Sequence, residues 1–132
     1  MTFSLKWTVV LLGILLIVWS MFIPVFEGAD ESGHYCHAEY IARNKRLPNF
    51  NIRDGCFLAY PPGYYVLAAP IIALRPAAYF DDEQIQPNPD YISNRKSTDV
   101  FSKYIHPPSE LMFQWNPLLQ TVHLVRLLSV AM

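Results

Sequence analysis

The chain has 132 residues, which by length is one domain, with 52% hydrophobic and only 16% charged residues. A soluble domain carries about 25% charged residues, so this composition points to a membrane. The formal net charge of -1 suggests no nucleic acid or other polyanion as an electrostatic partner.

Residues 7–26 contain no charge and read WTVVLLGILLIVWSMFIPVF. A helix of about 20 apolar residues rises roughly 30 Å, the thickness of the hydrocarbon core. The run is longer than the roughly 7–15 residues of a signal-peptide core, and Pro24–Ala29 is a poor cleavage site. A retained first span is therefore expected. Trp7, Trp19 and Phe22 suit membrane interfaces. Lys6 before the run and Glu27, Asp30 and Glu31 after it put the N-terminus in the cytoplasm and residues 27–58 outside.

Within 27–58, a helix over 30–46 is predicted to lie along the membrane. Tyr35, Ala38, Ile41 and Ala42 fall at helical spacing on one side, and Leu47-Pro48 ends it. The chain has two cysteines. In an oxidising compartment Cys36 and Cys56 can bond, and two free thiols are the alternative.

Residues 59–80 form a second apolar segment, either a span or a re-entrant piece. Pro61-Pro62 suits a helix start, Pro70 predicts a kink, and Arg75 can snorkel. Residues 81–116, rich in proline and acid, read as an irregular loop. Charge does not settle its side of the membrane. Residues 117–132 read as the start of a third span that stops in mid-run, which makes a longer polypeptide the expectation. The fold class expected is an all-α membrane protein, with N-terminal transmembrane helices and an extracytoplasmic juxtamembrane helical loop.

The candidate chemistry lies just after the first span, in Asp30, Glu31, His34, His37 and Glu39. In a helix, Asp30, His34 and His37 are spaced by four and three residues and share a face. A carboxylate and two imidazoles there can hold a divalent metal or act as acid and base. The alternative is an ordinary interfacial helix with Asp30 or Ser32 as its N-cap. Arg126, inside an apolar stretch, either snorkels or pairs with an acid or a phosphate. Tyr60, Tyr64 and Tyr65 suit a membrane interface, and tyrosine also offers a face and a hydroxyl to a lipid or sugar.

Taken in order, these features are an apolar helix, Asp30-Glu31-x-x-His34, Leu47-Pro48, Pro61-Pro62-x-Tyr64-Tyr65 and Arg126-Leu127-Leu128-Ser129. This set resembles the N-terminal part of the GT-C glycosyltransferases. It looks closest to the bacterial family 39-like and aminoarabinose-transferase-like proteins, in patches over 7–48, 58–74 and 117–131. It departs from them at Tyr60, where many relatives have histidine or lysine, and in the longer 81–116 loop.

The resemblance implies an extracytoplasmic transfer of a sugar from a polyprenyl-phosphate donor to a lipid, glycan or protein acceptor. It implies Asp30 and Glu31 as the catalytic carboxylates and His34, Tyr64, Tyr65 and Arg126 as substrate contacts. A divalent metal, if used, falls to Asp30, His34 and His37. The remainder of the polypeptide would supply the rest of the lipid-donor cavity. The alternatives are a non-catalytic membrane-anchored interaction protein or a decayed gene fragment.

Overall fold

The computed structural model describes residues 2–28, 30–49, 61–76, 79, 85–93, 102–106, 108–111 and 116–132. These residues are mostly helical. In chain order they form α1 (Thr2–Phe22), α2 (Glu31–Asn44), α3 (Gly63–Ala73), β1 (Gln86–Pro87), α4 (Pro89–Ser93), β2 (Tyr104–Ile105), α5 (Pro108–Leu111) and α6 (Pro117–Ala131).

The helix α1 is long and apolar enough to cross a membrane, and its span-length stretch Ser4–Phe22 is not buried at all. Leu5, Trp7, Leu11, Ile14 and Trp19 all stand exposed. The main helix partner of α1 among the described elements is α6, met near the C-terminal end of α1. Among the described residues no other helix has that length. Pro24 ends α1, since it has no N–H to continue the ladder.

The most extensive helix contact is α2 against α3. Tyr35, Ala38, Ile41 and Ala42 are the buried face of α2, as their spacing predicts, and Tyr65, Ala68, Ala69 and Ile72 are the buried face of α3. The alanines on both helices permit close backbone approach. The two helices run in the same direction, because His34 meets Tyr65 near their starts and Arg43 lies 4.0 Å over the Tyr79 ring near their ends.

With 11 residues, α3 rises only about 16 Å, about half a membrane. It begins after Pro62 and carries Pro70 inside. Helix α6 lies antiparallel to it. Arg75 donates to Gln120 at one end (2.7 Å), and Ser129 donates to the Tyr64 hydroxyl at the other (3.0 Å). Asn116 caps α6 by accepting the Leu119 amide at 2.9 Å, and Pro117 occupies its first turn. Buried Leu118, Leu119, Val122 and Val125 join α6 to the common core with Val25, Phe26 and Ile85.

The segment expected as an irregular loop is partly ordered. Gln86 pairs with Ile105 and Pro87 with Tyr104 in an antiparallel ribbon. Asn88 closes it, its amide donating to Lys103 O (2.9 Å) and its side chain to Ser102 O (3.0 Å). Such local bonding by Asn next to proline is turn chemistry that a count of prolines does not show. The ribbon's second strand reaches Glu27 at the C-terminal end of α1. The described part of 81–116 therefore sits at the same end of α1 as α2.

Cys36 is disulfide-bonded, so the free-thiol alternative fails for it. The other cysteine, Cys56, lies outside the described residues, as do Tyr60 and the rest of 51–60.

Candidate functional site

A cavity of about 620 Å³ opens where the end of α1, the turn into α2, the starts of α2 and α3, and α6 meet. Its apolar lining comes from Leu16 and Trp19 on α1, Ile23 just after it, and Val122, Val125 and Val130 on α6. Its polar edge carries Glu31, His34, Tyr64, Tyr65, Arg126 and Ser129. An apolar pocket with a few convergent polar groups is the usual form of a ligand site.

Arg126 is engaged at every donor. Its Nε bonds Glu31 Oε1 at 2.5 Å, and one Nη2 proton bonds Glu31 Oε2 at 2.8 Å. Nη1 donates to Ser20 O and Ile23 O at 2.6 Å, and Nη2 also to Pro24 O at 2.9 Å. A guanidinium has five N–H groups, and here all five are used. Helix α1 ends with carbonyls that have no intrahelical partner, and a cation there is also favoured by the helix dipole. Of the alternatives for Arg126, pairing with an acid is the one present, and the acid is Glu31. Glu31 Oε2 also accepts the Phe26 amide at 2.8 Å. Both groups therefore knit α1, α2 and α6 together.

Asp30 stands apart from this pair. It occupies the N-cap position of α2 in the left-handed region (φ 58°) and makes no capping bond. Its side chain is exposed, and among the described residues its carboxylate has no hydrogen-bond partner. It lies in sequence between Gly28 and Glu31, both of which line the cavity.

His34 and His37 converge on Tyr65. The Tyr65 hydroxyl and His34 Nδ1 are hydrogen-bonded at 2.7 Å, and the His37 ring stacks on Tyr65 at 4.1 Å. Tyr64 meets Tyr65 edge-on at 5.5 Å. Glu39 is buried and paired with Arg43, Oε1 to Nε at 2.7 Å. Of the trio expected for a metal, Asp30 stands exposed at the N-cap position of α2 without a capping bond, whereas His37 is buried. Among the described residues no three His, Cys, Asp or Glu side chains are grouped to hold a metal ion.

A second cluster was not foreseen from the sequence. Glu27 Oε1 accepts from Ser102 Oγ (2.8 Å), the Tyr104 amide (3.0 Å) and His106 Nε2 (2.8 Å), while its Oε2 accepts the Lys103 amide (2.9 Å). His106 Nδ1 lies 2.7 Å from Glu110 Oε2, and Glu110 Oε1 accepts the Val25 amide at 2.6 Å. Burial pushes both carboxyls up. The hydrogen bonds from the Lys103 amide and His106 outweigh it for Glu27, and those from His106 and the Val25 amide do so for Glu110, leaving both below the usual carboxylate range. Burial likewise works against a charged His106, but the hydrogen bonds and charges of Glu110 and Glu27 hold its pKa above the usual 6.5. The one local signal was the spacing of His106 and Glu110, a helical turn apart around Pro107-Pro108.

No known protein family, no curated protein and no solved structure matches this chain.

Proposed function

We propose that this chain is the N-terminal membrane part of a GT-C-type glycosyltransferase. In this reading α1 crosses the membrane with its N-terminus in the cytoplasm. The turn at Glu27, α2 and the ribbon face the extracytoplasmic side. The bonds from Arg126 to the last carbonyls of α1 support a retained helix, because cleavage there removes the partners of a part-buried guanidinium.

The observation that carries the reading is Asp30, an exposed carboxylate without a partner among the described residues, next in sequence to Glu31, which lines a largely apolar cavity. The apolar lining suits the prenyl chain of a polyprenyl-phosphate sugar, and the polar residues suit its head. Asp30 takes the proton of an acceptor hydroxyl. The acceptor oxygen bonds the anomeric carbon as that carbon's bond to the phosphate oxygen breaks, and the configuration inverts. The polyprenyl phosphate leaves with the bonding pair. Arg126 has no spare donor for that phosphate, so the contacts fall to His34, Tyr65 and Ser129 once the Tyr65–His34 and Ser129–Tyr64 hydrogen bonds open. A general base of this kind gives about 10²–10⁴ in rate.

One observation favours a second reading, a single-span anchored interaction protein: among the described residues only α1 has span length. Sugar transfer by the full polypeptide, with and without Asp30→Asn, separates the two. Loss of transfer with normal membrane insertion supports catalysis. Near-normal transfer by the variant removes Asp30 from it, and no transfer by the native protein favours the anchor.

A further inference from the structure

The Glu27–His106–Glu110 cluster has no part in that chemistry, yet it joins the ribbon to the turn that leads into Asp30. Both ring nitrogens of His106 face carboxylate oxygens within 2.8 Å. A carboxylate only accepts, and a neutral imidazole has a single N–H. Only the imidazolium donates to both.

We propose that residues 102–106 and Glu110 form a pH-dependent latch on Val25, Glu27 and Gly28, closed while His106 bonds Glu27 and Glu110 together and released when it loses a proton.

Release acts unequally on the two acids. Glu27 keeps Ser102 and the Lys103 and Tyr104 amides. Glu110, only 5% exposed, keeps the Val25 amide among its described contacts. Two carboxylates then share a buried space with one N–H between them, and like charges so placed repel. The other charged groups nearby do not replace the proton. The Lys103 ammonium is bonded to Gly28 O at 2.9 Å. His123 on α6 faces Glu110, and Arg126 beside it is held by Glu31 of α2. The latch bears on the cavity because Gly28, which Lys103 holds, is one of its lining residues. The inference rests on this geometry and not on the sugar-transfer reading.

The test is nuclear magnetic resonance of the whole chain in lipid nanodiscs, with ¹⁵N-labelled histidine and amide exchange followed from about pH 6 to about pH 9. At the lower pH both His106 nitrogens are expected to carry protons. The Val25, Lys103 and Tyr104 amides are expected to lose protection by roughly tenfold as the ring deprotonates. In His106→Gln that step should vanish. A ring that is a neutral single tautomer at the lower pH overturns the proposal, as does an equal step in His106→Gln. If that variant does not fold, the ring signals and amides of the native chain decide alone: a titrating ring with unchanged amide protection also overturns it.

Discussion

Arg126 and Glu31 are 95 residues apart in sequence and form a two-point ion pair, with the guanidinium also closing the end of α1. Both side chains are largely shielded, 12% and 18% exposed. Removing one partner of a buried pair costs roughly 3–5 kcal/mol. The residual exposure puts Arg126→Ala near the lower end, about 3 kcal/mol. Arg126→Lys should recover only part of this, since an ammonium has three donors and cannot form the planar two-point contact. Chemical denaturation in detergent measures both. A lysine variant as stable as the native chain contradicts the assignment.

Asp30 holds a left-handed backbone that disfavours side chains by about 1–2 kcal/mol, with Asp among those that tolerate it best. Its carboxylate gives nothing back through capping. Asp30→Gly should therefore leave stability unchanged or raise it by up to about 1 kcal/mol, while removing transfer. Asp30→Val should destabilise by about 1 kcal/mol. Thermal melts of the three proteins check the order.

The latch has a definite pH profile. His106, with its pKa raised, contributes stability that is complete below its ordinary 6.5 and is lost as pH rises through the folded value. Glu27 and Glu110, with theirs lowered, contribute above their ordinary 4.5 and lose it as pH falls through the folded values. Stability should therefore be greatest between 4.5 and 6.5 and decline on both sides. In His106→Gln the alkaline decline should flatten. Denaturation midpoints across pH measure it.

The hydrogen bonds from Ser102, Lys103 and Tyr104 to Glu27 put the ribbon and α2 at one end of α1. Single cysteines replacing the exposed Lys45 and Asp90 should react with a membrane-impermeant maleimide from the same face of intact cells. Labelling of one before lysis and the other only after it contradicts the arrangement.

Two features were legible because they are periodic or continuous. The uncharged run of α1 needs only its length, and the buried face of α2 needs only the 3.6-residue repeat of Tyr35, Ala38, Ile41 and Ala42. The site was less so. Helical spacing put Asp30 with His34 and His37, but spacing holds only inside the helix, and Asp30 is the residue where the backbone turns left-handed. The acid that Arg126 meets depends on contacts across 95 residues. The Glu27–His106 bond spans 79 residues, and no local pattern encodes it. Apolar composition over 59–80 fitted a span, the favoured reading, or a re-entrant piece. The difference lies in where the chain turns after Ala73.

Under the proposed sugar transfer, the cavity lined by Glu31 and Arg126 holds the prenyl chain of a lipid-linked sugar. A photoreactive polyprenyl phosphate, cross-linked to the full polypeptide in membranes and mapped by mass spectrometry, tests it most directly. Adducts are expected on Trp19 of α1, on Ile23 just after it, and on Val122, Val125 or Val130 of α6, with competition by unlabelled polyprenyl phosphate. Adducts confined to the exposed outer face of α1, unaffected by competitor, would contradict it.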